Sequence, residues 1–339
     1  MARSLVTGGA GFIGAHLTRY LLEQGDSVTV LDDLSGGFED NVDARATLVR
    51  GSIIDAELIN DLFTDGKFTN VYHCAAYAAE GLSHFIKRFN YMNNVVGSVN
   101  LINASVNNDV ECFVFTSSIA VYGSGQTPMT ESMRPEPEDS YGIAKYAVER
   151  ELAVTYRMFG LPYVIFRPHN VYGELQNIGD RYRNVLGIFM NQIMSGDPIS
   201  IFGDGEQTRA FSYVGDIIPA IATSPRVEAA HQETFNVGAD VPYSVNQLAA
   251  IVCDALGSPG HQVRYFPARD EVKHAFSDHS RTRSVFGDHK MTSLEAGVGR
   301  MAAWARDHGP RESSRFDEIE ISRNLPSAWR TTAAPRESA

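Results

Sequence analysis

Three cysteines in 339 residues, Cys74, Cys112 and Cys253, are too few and too scattered for a disulfide scaffold, a zinc site or a redox pair. Each reads as a small buried hydrophobe. No uninterrupted apolar run is long enough to span a bilayer. Positive charge is scarce too: 29 Lys and Arg stand against 41 Asp and Glu, a formal net charge of −12, and no basic run could release counterions from a polyanion. Sequence-independent nucleic-acid binding is excluded, so any anionic ligand has to be held locally. Internal repeats and low-complexity tracts are lacking. Met1 to Val6 runs straight into a glycine turn, which leaves no room for a cleaved leader. The expectation is a cytoplasmic enzyme without a membrane partner, whose 43% hydrophobic content can fill one large domain or two moderate ones.

What the chain does have is a regular alternation of short apolar runs and amphipathic stretches. Ser4–Thr7 reads as a buried strand, followed by a glycine turn and a helix over about 11–24 with Ile13, Leu17, Leu21 and Leu22 on one face. Further strands are expected at 27–31, 47–50, 70–74, 112–116 and 163–166, and further helices near 56–63, 90–107 and 141–159. Alternation of this kind predicts an α/β, doubly wound parallel sheet of Rossmann type, with ligands at the carboxyl ends of its strands. After Gly173 the rhythm changes: a polar stretch over 177–184, a helix near 185–195 and strands near 199–202 and 263–266. The expected division is a dinucleotide-binding domain over 1–172 with a return segment at 212–234, and a smaller substrate-binding region over 173–211 and 235–308. The polar tail, 309–339, is either partly disordered or wrapped on the surface.

The chemistry sits in short motifs. Gly8, Gly11 and Gly14 form G-x-x-G-x-x-G between a strand and a helix, where glycine permits a tight turn and lets the backbone approach a pyrophosphate. Asp32, just past the second strand, can accept hydrogen bonds from a ribose diol and would repel a 2′-phosphate, which favours NAD over NADP. Asp33 beside it is the alternative. Tyr141 and Lys145 stand i and i+4 on a predicted helix and so share a face. A tyrosine with a pKa near ~10 is a poor base until a nearby ammonium stabilises its phenolate. Thr116-Ser117-Ser118, at the end of an intervening strand, can bring a hydroxyl to the same substrate oxygen.

Together with Ile119-Ala120-Val121-Tyr122-Gly123, Arg167-Pro168-His169-Asn170-Val171-Tyr172-Gly173 and Phe202 to Arg209, these runs resemble the extended short-chain dehydrogenase/reductases, and within them the nucleotide-sugar epimerase/dehydratase group, closest in motifs to UDP-glucose 4-epimerase-like enzymes. The resemblance covers roughly Ser4 to Arg306. It implies an NAD site formed by Gly8, Gly11, Phe12, Ile13, Gly14, Asp32 with Asp33, Ser52, Ile53, Ala75 and Asn94, completed by Tyr141 and Lys145. It implies Ser118, Tyr141 and Lys145 as the catalytic set, with no metal. Asn170, Arg209 and Arg269, beside Ser118 and Tyr141, would hold a nucleotide sugar, the arginines meeting its diphosphate. A homodimer is the family expectation, with the helices near 90–107 and 141–159 as interface candidates.

The residues after Ser118 discriminate among reactions. Related dehydratases and decarboxylases resemble a version with acidic residues before Val-Tyr-Gly, and the GDP-mannose 3,5-epimerase relatives place a Cys at position 120; this chain has Ile119 and Ala120. What remains is the simple 4-epimerase set, acting on a UDP-hexose or UDP-hexuronate through a 4-keto sugar with NAD regenerated. Alternatives are epimerisation at another carbon, a dehydratase or reductase outcome, or a non-catalytic NAD-binding protein on the same fold. Several residues depart from the family pattern: Ser52 where an Asp commonly contacts adenine, Ala78 near a phosphate-binding Lys position, and His169 in place of an aromatic residue. The segment from Glu80 to Phe89 is polar and basic, and reads equally as a recognition loop for an acidic sugar or as a solvated or dimer surface.

Overall fold

The computed structural model describes residues 1–125, 127–180, 182–268, 272–310, 319–326 and 329. The expected strands, β1 (Arg3–Thr7), β2 (Ser27–Asp32), β3 (Thr47–Arg50), β4 (Asn70–His73), β5 (Cys112–Thr116) and β6 (Tyr163–Pro168), join a seventh, β7 (Glu233–Val237). They form one sheet in the order β7-β6-β5-β4-β1-β2-β3 with every neighbouring pair parallel. The chain fills one side of β1 with β2 and β3 and then crosses to β4. The crevice of a doubly wound sheet therefore opens beyond the carboxyl ends of β1 and β4.

Side chains alternate across the strands, so each strand feeds two cores. Leu5, Leu31, Val71, Phe113, Phe115 and Ile165 pack on one side with Ile59 and Phe63 of α2 (Ala56–Gly66), Leu101 and Ile102 of α3 (Gly97–Asn107), and Val148 and Leu152 of α4 (Ser140–Phe159). On the other side Val6, Val30, Tyr72, Val114 and Phe166 meet Leu17 and Leu21 of α1 (Phe12–Glu23) and Ile217 and Ile221 of α5 (Val214–Thr223). The start of α4 is fixed by Asp139, whose carboxylate accepts from Gly142 N at 2.8 Å, and its end by Gly160 in the left-handed region at φ +77°.

Two elements differ from the sequence expectation. The helix expected from residue 90 begins at Lys87 and passes through a π turn, Met92–Val96, before α3. β7 was not anticipated as a strand; its pairing with β6 carries the sheet to Val237, past the boundary drawn at 234. Beyond the sheet, Ile199–Phe202 pairs with Val263–Phe266, and Thr208–Ala210 lies between Pro242–Ser244 and His274–Ala275. Of the tail, Leu325 and Trp329 pack with Leu82 and Ile86, and the Glu320 carboxylate accepts from Arg88 N and Phe89 N at 2.8 Å. Residues 311–318, 327–328 and 330–339 lie outside the described residues. No helix among the described residues is long and apolar enough to cross a membrane.

Candidate active site

The glycine turn is built by close contact. Gly8 is left-handed at φ +72°, and a Cβ there would lie 2.7 Å from Ala75 N at the end of β4. A Cβ on Gly14 would fall 2.2 Å from the Gly8 carbonyl oxygen. The N-terminus of α1 has no side-chain cap at Gly11, which leaves its N–H groups for an anion. Asp32 is buried beside the turn: one carboxylate oxygen accepts from Ala10 N at 2.9 Å and the other from Leu34 N at 2.8 Å. Burial raises its pKa and these donors oppose the rise. Asp33 is exposed and accepts from Ser35 N, so Asp32 is the carboxylate that faces the turn. An uncapped helix end, a turn without room for side chains and a carboxylate held by backbone donors fit the diphosphate and ribose of NAD. Gly14→Ala is expected to reduce bound NAD by about tenfold or more, read as nucleotide released on denaturation; full occupancy would contradict the steric reading.

The remaining cofactor candidates lie at the start of α1, after β3, after β4 and in the π turn. Phe12 and Ile13 are half-buried at the start of α1. Ser52 and Ile53 follow β3, and the Ile53 carbonyl accepts from Asn100. Ala75 N donates to Thr7 Oγ1 at 3.3 Å. Asn94 sits in the π turn with its amide engaged: Oδ1 accepts from Tyr77 N at 2.9 Å, while Nδ2 reaches Tyr77 O and Asn90 Oδ1. It therefore fixes the backbone at Tyr77.

Ser118, Tyr141 and Lys145 come together at the carboxyl end of β5. Lys145 Nζ donates to Thr116 O at 2.7 Å and lies 4.7 Å from the Phe115 ring centre and 5.8 Å from that of Tyr141. Ser118 is the N-cap of the turn Ile119–Tyr122, its hydroxyl accepting from Ala120 N at 3.1 Å. Burial pushes the Tyr141 hydroxyl well above its ordinary pKa; the Glu80 carboxylate pushes the same way, and a hydrogen bond from Ser118 and the Arg183 charge oppose them. Burial brings Lys145 down to about 8. Tyr141 N donates to Ser83 Oγ at 3.1 Å, so the turn Glu80–Ser83 is fastened to α4. Part of the segment 80–89 is thus a support, with Leu82 and Ile86 fully buried.

Two groups escaped the sequence reading. Ser117 Oγ donates to Glu149 Oε1 at 2.6 Å, and Arg167 Nε donates to the same oxygen at 2.9 Å, placing a buried ion pair under Ser118. Glu149 lies i+4 from Lys145, a spacing that pointed to a shared face. Arg183 carried no such signal. It pairs with Asp180, lies 5.0 Å from the Tyr77 ring centre, and would be 3.3 Å from a Cβ on Gly36, bridging the 177–184 stretch to the loop over the glycine turn.

On the substrate side, Asn170 is left-handed at φ +41° and donates from Nδ2 to Ala210 O at 3.2 Å. Arg209 donates to the carbonyls of Thr208, Lys273 and Val272. Arg269 lies outside the described residues. His169 turns into the interior behind Asn170 and is buried.

A family model described as the NAD dependent epimerase/dehydratase family matches residues 4–238. A putative UDP-glucose 4-epimerase of Methanocaldococcus jannaschii is 33% identical over 90% of this chain and 98% of its own length. The UDP-glucose 4-epimerase of Mycolicibacterium smegmatis is 32% identical over 90% and 99%. Among solved structures, the UDP-glucose 4-epimerase of Thermotoga maritima with UDP-glucose superposes with a TM-score of 0.86, 33% identical over 90% of this chain and 99% of that one. The UDP-glucuronic acid 4-epimerase of Bacillus cereus, in complex with UDP-glucuronic acid and NAD, gives 0.81 at 26% identity over 90% and 99%.

Proposed function

This chain belongs to the NAD-dependent epimerase/dehydratase family, and on that premise we propose that it is a nucleotide-sugar 4-epimerase acting on a UDP-hexose or UDP-hexuronate. The observation that carries the reading is the pairing of an assembled Ser118, Tyr141 and Lys145 with a following turn that offers only Ile119 and Ala120. Tyr141 takes the proton from the C4 hydroxyl and returns it. Ser118 orients that oxygen, and the Lys145 ammonium lowers the cost of the phenolate. NAD, when bound, supplies a hydride acceptor that becomes the donor for the opposite face of the sugar. Gly8, Gly11, Gly14 and Asp32 hold that cofactor, and Asn170 and Arg209 bind the nucleotide side.

Incubation with a panel of UDP-sugars in deuterium oxide tests this. Inversion at C4 without exchange is expected. Deuterium at C3 or C5 would instead favour a second reading, epimerisation at another carbon, for which the Glu80 carboxylate near Tyr141 is the candidate extra base.

The active unit is a homodimer. Ile143, Val154 and Met158 are exposed along one face of α4, and Met92 and Val96 are exposed on the helix that leads into α3. Ile143→Glu with Val154→Glu is expected to halve the mass measured by light scattering. A monomeric mass for the unaltered protein would overturn the assignment.

A further inference from the structure

We propose that His169, His279 and Asp240 form a proton-holding chain that positions Asn170 and Ala210 for the nucleotide sugar, with His169 as the positioning residue. The proposal rests on the nucleotide-sugar reading above. His169 Nδ1 lies 3.0 Å from the Ala210 carbonyl, the same oxygen that accepts from Asn170 Nδ2. His169 Nε2 is 3.0 Å from Nε2 of His279, with the ring planes 18° apart, so the two nitrogens face one another. His279 Nδ1 is 2.6 Å from Asp240 Oδ1, and Arg283 donates to Asp240 Oδ2 at 2.9 Å. Ser277 Oγ lies 3.1 Å from His279 Nε2, and the Asp278 carboxylate stands on the adjoining residue. The fit is tight: a Cβ on Gly238 would fall 2.4 Å from His169 Nε2 and 2.3 Å from Ser212 Oγ.

The proton count follows from the chain's ends. A carbonyl and a carboxylate only accept, so both Nδ1 atoms must carry hydrogen, and the Nε2 pair needs one hydrogen more. Two neutral imidazoles supply two hydrogens, whereas three are required. One ring is therefore an imidazolium. Burial disfavours a charge on His169, and the Asp240 carboxylate 2.6 Å from His279 Nδ1 places the extra hydrogen on His279. Without that proton two bare nitrogens face each other and the rings separate. The Ala210 carbonyl then loses one of its two side-chain donors, and the Asn170 amide that shares it is less firmly placed. Loss of that third hydrogen breaks the chain, so KM for the sugar nucleotide is expected to climb across the range where imidazoles ordinarily titrate, while kcat, set by Tyr141 and Lys145, does not follow the same step.

KM and kcat of the NAD-bound enzyme, measured between about pH 5.5 and 8.5 where imidazoles titrate, test this with two variants. His169→Asn keeps a donor toward Ala210 without a second ring nitrogen; His169→Phe removes both. The unaltered enzyme is expected to show KM rising about fivefold across the step. His169→Asn should show a low KM flat with pH, and His169→Phe a high KM equally flat. A pH-independent KM in the unaltered enzyme, or the same step in His169→Asn, would overturn the proposal. Nitrogen-15 spectra of the unaltered protein add a readout that needs no turnover: one imidazolium and one neutral ring are expected for this pair at low pH, and two neutral rings there would refute the chain. Absence of turnover with every UDP-sugar would instead count against the nucleotide-sugar reading.

Discussion

Tyr141→Phe is expected to lower kcat by about 10³-fold while the protein keeps its NAD. The substitution removes one hydroxyl and leaves the ring that packs beside Lys145. Burial and the Glu80 carboxylate set the Tyr141 hydroxyl against ionisation; on the proposed mechanism the Lys145 charge and the positively charged nicotinamide stabilise the phenolate. That dependence gives the pH profile a direction. Burial holds Lys145 at about 8, so raising the pH through that value removes the ammonium and kcat should fall. A rate that stays flat to about pH 9.5 would show that the Lys145 charge is not what ionises Tyr141. Turnover unchanged in Tyr141→Phe would reject the base assignment itself.

Arg167→Met should destabilise the protein by about 3–5 kcal/mol, the usual effect of stranding one half of a buried ion pair. Burial opposes the Arg167 charge, but the Glu149 carboxylate outweighs it and raises the guanidinium above its ordinary range. Removing Arg167 leaves the Glu149 carboxylate under Ser117 with a hydroxyl as its remaining side-chain partner. Adding Glu149→Gln should recover most of the loss, because both charges are then absent. Urea unfolding of the single and double variants decides it; equal stability of Arg167→Met and the unaltered protein would mean that the pair contributes nothing. The destabilisation should also be felt at Ser118, since Ser117 is anchored through Glu149.

The parallel sheet was legible wherever a strand is built on a continuous apolar run, as at 112–115 and 163–166, because strands buried on both faces carry few polar positions to confuse the pattern. Glu233–Val237 failed that test: Glu, Thr and Asn interrupt Phe235 and Val237, and only pairing with β6 makes the segment a strand. The glycine turn and the Tyr141/Lys145 pair were legible because both are local, fixed by spacing along one turn or one helix. Asn94 was placed at the cofactor by family resemblance, yet its amide is occupied by Tyr77 and Asn90 through a π turn that no spacing rule announces. Arg183 and the His169 partners His279 and Asp240 reach their positions through tertiary folding. The sequence marked His169 as unusual but held no signal for what it would touch.

The small core under the Glu80–Ser83 turn has a consequence for how the protein is made. Trp329 closes that core against Phe85 and Tyr182, its ring centre 6.2 Å from that of Phe85 and 5.4 Å from that of Tyr182. A chain emerging from the ribosome in order can form α4, with Tyr141 and Lys145 on it, long before Trp329 appears. The segment whose serine holds the Tyr141 amide waits for that late residue to acquire its full packing. The brace on Tyr141 is therefore among the last contacts of the fold to be completed as the chain is made.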